Sequence, residues 1–293
     1  MADVVLFDHI GKTAGSTIHR VLWRVYGRKR VFMSTIVGTH QERIATLRDG
    51  LDTPRPSVAT VIAHTGYGLH ERLPPQHRYR LFTLLRDPVQ RTISNYHFEI
   101  QRGRLSASVS LTDWLDQDLS RAYNVQTAFL GGLALQQHLD GRALRKEDFT
   151  DDLLERAKAA LRAHEVVGLT ERFDEGLLLL SDAFGWSSRE TCYVRANRGK
   201  RRARRASPTP EEIEAVRRAN RLDAALYDHG RTLFETQLAA RIPDVEDRLR
   251  DLRQRNRIYA LSVPNLRRRL RRRAGRAARA LGLRPGALSP PKP

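Results

Sequence analysis

The chain has 293 residues, 40% of them hydrophobic, enough to bury the core of one large domain or two small ones. Lys and Arg total 52 against 33 Asp and Glu, a formal charge of +19 that favours polyanionic partners: phosphorylated cofactors, acidic glycans, nucleic acid or anionic lipid. The lone cysteine, Cys192, excludes an intramolecular disulfide and any cysteine metal cluster; no apolar run reaches the length of a membrane span, and residues 1–10 carry Asp3 and Asp8 with no basic leader, so a cytoplasmic location is expected.

The stretch VVLFDHIGKTAGSTIHRVL, residues 4–22, predicts a buried strand over Val4–Ile10, a loop at Gly11–Ser16 and a helix from about Thr17. Ile18, Val21, Leu22 and Val25 share one helical face, and Gly27 is placed to end the helix. Residues 50–57 read as loop. Val58–Ala63 reads as a strand running into HTGYGLHERLPP, whose glycines and prolines mark irregular backbone. Tyr79–Leu85 is a further strand; Asp87-Pro88 then starts a helix, with a capping carboxylate followed by proline at the first helical position. That helix continues through Val89–Gln101.

Leu153–His164 reads as a helix, Val166–Leu169 as a short strand, and Glu171–Phe184 as a helix closed by Gly185. Strands alternating with helices predict an α/β fold with a parallel sheet covered on both faces. From Arg195 the character changes. RANRGKRRARR holds seven cations and no acid, a helix capped by Ser207 or Thr209 follows, and Pro264–Pro293 holds ten cations and no acid. The expected organisation is one domain over residues 1–240 and a basic, Arg-rich helix or tail over 241–293. The tail fits an unpacked polycation, a helix lying on an anionic membrane surface, or an anchor for an acidic acceptor.

A strand feeding a glycine-containing loop and a helix N-terminus is an anion site, because backbone N–H groups and the helix dipole converge there. Lys12 adds a full charge, and Thr13, Ser16 and Thr17 add hydroxyl donors. A Walker A loop requires G-x-x-x-x-G-K-[ST]; its first glycine would fall at Leu6, inside the strand, so the loop is too short to wrap two phosphates that way. YRLFTLLRDPVQRTISNYHFE, residues 79–99, builds a second corner of this kind. Arg86 leaves the strand tip, and Ser94 shares a helix side with Gln90 and Arg91. Ligands of open parallel sheets sit at the carboxyl ends of the strands. Two anion corners there suit a ligand with two separated phosphates, such as a nucleoside 3',5'-bisphosphate.

These residues carry a resemblance. HIGKTAGST resembles the H-I-P-K-T-A-G-T-S loop of the sulfotransferase family that includes heparan and chondroitin sulfotransferases and bacterial relatives. TLLRDPVQRTISNYHF resembles that family's L-R-D-P-V-x-R-x-x-S-x-Y motif, and AHTGYGLHERLP its G-H-F-P-Y-G-L-H segment. NVQTAFLGG, VGLTERFDEGLLLL and NRGKRR follow in family order, so the likeness spans roughly residues 4–235. Departures are Gly11 in place of proline, Ala63 in place of the glycine before His64, and Thr65-Gly66 in place of Phe-Pro.

The resemblance implies a single sulfotransferase domain with a P-loop-NTPase-like central parallel sheet flanked by helices. It implies 3'-phosphoadenosine 5'-phosphosulfate (PAPS) as sulfate donor. Lys12, Thr13, Gly15, Ser16 and Thr17 would contact the 5'-phosphosulfate, Arg86 and Ser94 the 3'-phosphate, and Arg198 the same phosphate. The acceptor would be a hydroxylated molecule, a glycan by family, which the basic segments suggest is acidic. In-line transfer needs a base for the acceptor hydroxyl and a cation on the leaving phosphate. Lys12 is the cation; His64 and His70 are both candidates for the base, with Glu71 a solvated carboxylate. His9 reads as a core or loop residue and His19 as a helix residue. No metal is expected, since the sequence holds no ligand-type spacing. Asn124, Gln126 and Thr127 either line a pocket or cap local backbone, and Tyr67 and Tyr96 either bound the pocket or pack in the core. Two other function classes stay open: a P-loop kinase, which would need the full Walker A loop, and a nucleic-acid binder, which would need charge spread over a folded face with aromatic readers. No specific nucleic-acid contact is expected.

Overall fold

The computed structural model describes residues 3–33, 40–52, 57–194 and 207–262. Both arginine-rich segments, and with them Arg198 and the expected tail from residue 263, lie outside the described residues. In chain order the elements are β1 (Asp3–Asp8), α1 (Gly15–Val25), β2 (Val31–Met33), α2 (His40–Leu51), β3 (Thr60–Ala63), β4 (Arg78–Leu85) and α3 (Pro88–Gln101). Then come α4 (Leu111–Gln117), α5 (Leu119–Ala122), α6 (Val125–Leu130), α7 (Leu133–Asp140), α8 (Asp151–Ala163), β5 (Val166–Leu169), α9 (Phe173–Phe184), α10 (Pro210–Ala219), α11 (Arg221–Arg241) and α12 (Val245–Leu261).

The five strands form one parallel sheet in the order β2-β3-β1-β4-β5. β1 lies between β3 and β4, with Asp8 level with Ala63 on one side and Thr83 on the other. Both faces of β1 are covered. Val5 and Phe7 enter one apolar cluster with Phe82, Ile18 and Leu22, while Val4 and Leu6 enter another with Leu47, Val61 and Leu81. This is why the strand reads as a continuous apolar run and not as an alternation. Chain leaving β1 turns toward the β3 side, and chain leaving β4 turns toward β5, so a crevice opens between the carboxyl ends of β1 and β4.

The α/β expectation holds, with shifted boundaries. α1 starts at Gly15, two residues before Thr17, and the strand expected at Val58 begins at Thr60. β2 and α2 are additions. The helix expected after Ser207 or Thr209 is capped by Thr209, whose hydroxyl accepts from Glu212 N at 3.2 Å, and it divides at the buried Asn220 into α10 and α11. α12 docks on the domain, burying Leu249 and Leu252 in the main core. No helix among the described residues is long and apolar enough to cross a membrane.

Candidate active site

The loop after β1 holds two residues in the left-handed region, Lys12 at φ 75° and Ala14 at φ 66°. Each such residue costs of order 1 kcal/mol or more and persists only where the surroundings demand it. Thr13 is fully buried, and its hydroxyl donates to Ile10 O at 2.9 Å, closing the loop on itself. Ala14 begins α1 with no side-chain cap, so the first-turn N–H groups and the positive helix end face the loop. Thr17 is buried and Ser16 exposed at that end. Gly15 has a reason the sequence did not reveal. A Cβ there would lie 1.8 Å from Nε2 of His9, so the imidazole rests directly on the Gly15 backbone.

The second corner is held by backbone clamps. Arg86 N donates to Gln126 Oε1 at 3.0 Å, and Gln126 Nε2 donates to Arg86 O at 2.8 Å. Gln126 is held in turn by the fully buried Asp223. That carboxylate accepts from Gln126 N at 3.1 Å, Thr127 N at 2.7 Å and Thr127 Oγ1 at 2.8 Å. Asn124 Oδ1 accepts from Leu222 N and Asp223 N, and Asn124 N donates to Asn220 Oδ1. Of the two roles the sequence left open for Asn124, Gln126 and Thr127, the structure therefore shows capping and clamping. Tyr96 is likewise structural, donating to Val109 O at 2.6 Å beside Trp114.

The Asp87 carboxylate accepts from Gln90 N at 2.8 Å and takes the positive end of α3 for itself. An anion at this corner is left with side chains: Arg86, and Ser94 half-buried along α3. Across the crevice, Arg86 Nη1 donates to Lys12 O at 3.1 Å, joining the two corners. Lys12 Nζ lies 4.1 Å from the centroid of Phe98. Burial, and after it the charge of Arg86, lowers the Lys12 pKa; Arg91 and Arg102 add to this and Glu99 opposes it. Arg91 is fully buried, donates to Arg121 O at 3.0 Å, and is pulled down to about 10 by burial. Cations that depress one another in this way gain from a bound polyanion.

Beside the loop stand three histidines. His9 Nδ1 is 3.1 Å from His64 Nε2 and 3.3 Å from His19 Nε2. Phe7 stacks on the face of His9 with centroids 5.0 Å apart, and the Nε2 edge of the same ring meets Gly15. Burial brings His64 and His19 down to about 4 and holds His9 well below the usual histidine range, so the trio is neutral at pH 7. His64 thereby joins the loop after β1 through His9. His70 stands apart from this group, its ring 5.2 Å from that of Tyr67, and its Nδ1 is buried without a hydrogen-bond partner among the described residues. Burial lowers its pKa, with Asp8 and the exposed Glu71 opposing. Asp8 itself pairs with the buried His164 at 3.0 Å. Sequence reasoning missed His9 and His19 as neighbours of His64. The available signal was that His19 lies one turn after Gly15 on the same face of α1, the face on which His9 rests.

A sequence model of the galactose-3-O-sulfotransferase family matches residues 2–274. The chain is 27% identical over 309 residues to heparan-sulfate 6-O-sulfotransferase 2 of Danio rerio, covering 88% of this chain and 64% of that protein. It is 28% identical over 258 residues to galactosylceramide sulfotransferase of Homo sapiens, covering 80% and 58%. A shorter match, 36% identical over 90 residues, is to galactose-3-O-sulfotransferase 3 of Bos taurus, covering 30% and 21%. The chain thus spans less than two thirds of the length of these relatives.

Proposed function

This chain belongs to the galactose-3-O-sulfotransferase family, and from that premise we propose that it transfers a sulfuryl group from PAPS to a hydroxyl of a galactose-containing glycan or glycolipid. The observation that carries the reading is the hydrogen bond between Arg86 Nη1 and Lys12 O, which sets two cationic corners on one crevice. The donor set fits a doubly phosphorylated nucleoside. One corner offers the uncapped N-terminus of α1, and the other offers a guanidinium with no free helix end. Lys12, Thr13, Gly15, Ser16 and Thr17 hold the 5'-phosphosulfate; Arg86 and Ser94 hold the 3'-phosphate. Arg198, outside the described residues, is assigned to the same phosphate on the resemblance alone. When bound, the donor supplies an activated sulfuryl group.

His64 takes the proton of the acceptor hydroxyl. Burial keeps it neutral at pH 7, the form that can take up a proton. Lys12 leaves the Phe98 face for the phosphate oxygen that gains charge as the S–O bond breaks. That charge is larger in the transition state than before it, so the contact accelerates the reaction. A second placement of the base, at His70, is favoured by its buried, unpartnered Nδ1.

The test incubates the protein with PAPS and galactosylceramide, lactose or a galactose-terminated glycan, and reads added SO₃ by mass spectrometry. The expected result is sulfation that Lys12→Ala lowers by about 10²–10³-fold and that His64→Ala abolishes while His70→Ala spares. No transfer to any galactosyl acceptor, or transfer indifferent to Lys12→Ala, overturns the reading.

A further inference from the structure

We infer that His9, His19 and His64 form a binding site for a zinc-class transition-metal ion, and that its occupancy switches off sulfuryl transfer by tying up His64. The second half rests on the assignment of His64 as base; the first half stands on geometry alone.

The three imidazoles come from three elements: His9 follows β1, His64 follows β3, and His19 projects from α1. Their ligating nitrogens lie within 4.8 Å of one another, with two edges at 3.1 and 3.3 Å. Four ligands at a Zn–N distance of about 2.0–2.1 Å in a tetrahedron stand about 3.3 Å apart. The two short edges match the spacing of ligands on a shared ion.

Hydrogen bonding accounts for the cluster less well. A neutral imidazole nitrogen carries one proton or one lone pair, not both. His9 Nδ1 faces two nitrogens at once, so a proton there must be shared between them, and a lone pair can accept from only one. An ion takes all three lone pairs together. The rings stand across one another, His9 at 65° to His64 and at 83° to His19.

The site is also stiff and open on one side. His9 is confined, because Phe7 stacks on its face and the Gly15 backbone meets its Nε2 edge. His19 and His64 are only half-buried, which leaves an outward position for water as fourth ligand. A three-imidazole set with no carboxylate selects Zn²⁺, Cu²⁺, Ni²⁺ or Co²⁺ over Mg²⁺ and Ca²⁺. Such an ion is not a participant in the transfer. It occupies Nε2 of His64 and removes the lone pair the reaction uses.

The test titrates the full chain, stripped with a chelator and dialysed, with Co²⁺, reading its visible d–d absorption, and then displaces Co²⁺ with Zn²⁺. One equivalent of tetrahedral Co²⁺ is expected, displaced by Zn²⁺ and indifferent to Mg²⁺. His19→Gln should weaken it by more than the about 10–100-fold that loss of an outer-shell partner costs, and His64→Asn should do the same. In the transfer assay, Zn²⁺ should inhibit the wild type, whereas His19→Gln should keep its metal-free rate and resist Zn²⁺. Absence of tetrahedral Co²⁺, or binding unchanged in both variants, overturns the site while leaving the sulfotransferase reading intact. Metal binding without inhibition overturns the switch and with it the assignment of His64 as base. A chain that transfers no sulfate refutes the proposed function, and the Co²⁺ spectrum still decides the site.

Discussion

Gly15→Ala is the substitution whose outcome the structure constrains most tightly. Gly15 is the first residue of α1, and alanine there, taken alone, should stabilise the helix by about 0.5–1 kcal/mol. The fold reverses that sign. The new Cβ would lie 1.8, 2.2 and 2.5 Å from Nε2, Cε1 and Cδ2 of His9, so the whole ring edge must move. Tilting toward Phe7 is blocked, because Phe7 stacks on His9 at 5.0 Å and on Phe82 at 4.6 Å. Turning the ring aside breaks its 3.1 and 3.3 Å contacts to His64 and His19. Overpacking of this kind costs about 1–3 kcal/mol, which lowers Tm by roughly 2–12 °C in a domain of this size. A double-mutant cycle read by calorimetry isolates the cause. In a His9→Ala background the clash is gone, and Gly15→Ala should be neutral or stabilising, giving a coupling of about 1 kcal/mol or more. If Gly15→Ala raises Tm in the wild type, or costs the same in both backgrounds, His9 does not rest on Gly15 and the histidine trio is wrongly placed.

Three further substitutions probe the supports of the site. Gln126→Ala removes both bonds that clamp the Arg86 backbone, and should weaken binding of adenosine 3',5'-bisphosphate by about tenfold, at roughly 0.5–1.5 kcal/mol per bond, in a calorimetric titration. Phe98→Ala removes the ring on which Lys12 sits; because that contact competes with the anion, nucleotide affinity should rise by a few-fold, the worth of a cation–π pair of about 0.5–1 kcal/mol. Leu252→Ala should destabilise the whole domain by about 2–5 kcal/mol in urea unfolding, since α12 is anchored in the main core and is not an appendage.

Much of the candidate site was legible because its signals are local. An apolar run, a Gly-Lys-Thr loop and a 3.6-residue period define β1, the anion loop and α1, and Asp87-Pro88 marks the start of α3 with its cap and its first residue together. β2 escaped notice because it is three half-buried residues with no period to read. The docking of α12, inside the stretch expected as a basic helix or tail, escaped because Leu249 and Leu252 sit among arginines, and only the docked helix shows them buried. The break at Asn220 is a tertiary event: its side chain accepts from Asn124 N across 96 residues and donates to Val216 O. The same holds for the histidines. No spacing rule links positions 9, 19 and 64, because the sheet register brings His9 beside His64 and the turn of α1 adds His19. For Asn124, Gln126 and Thr127, burial decided between two roles that their polarity alone left equal.

The measurement closest to the central claim compares the binding of adenosine 3',5'-bisphosphate and adenosine 5'-phosphate to the wild type and to Arg86→Ala by isothermal titration calorimetry. If Lys12 and Arg86 clasp one nucleoside by its two phosphates, the bisphosphate binds more tightly by about 10–150-fold, the worth of charge-assisted bonds of about 1.5–3 kcal/mol, and Arg86→Ala erases the difference. Equal affinity of the two nucleotides for the wild type, or a preference that survives Arg86→Ala, contradicts it.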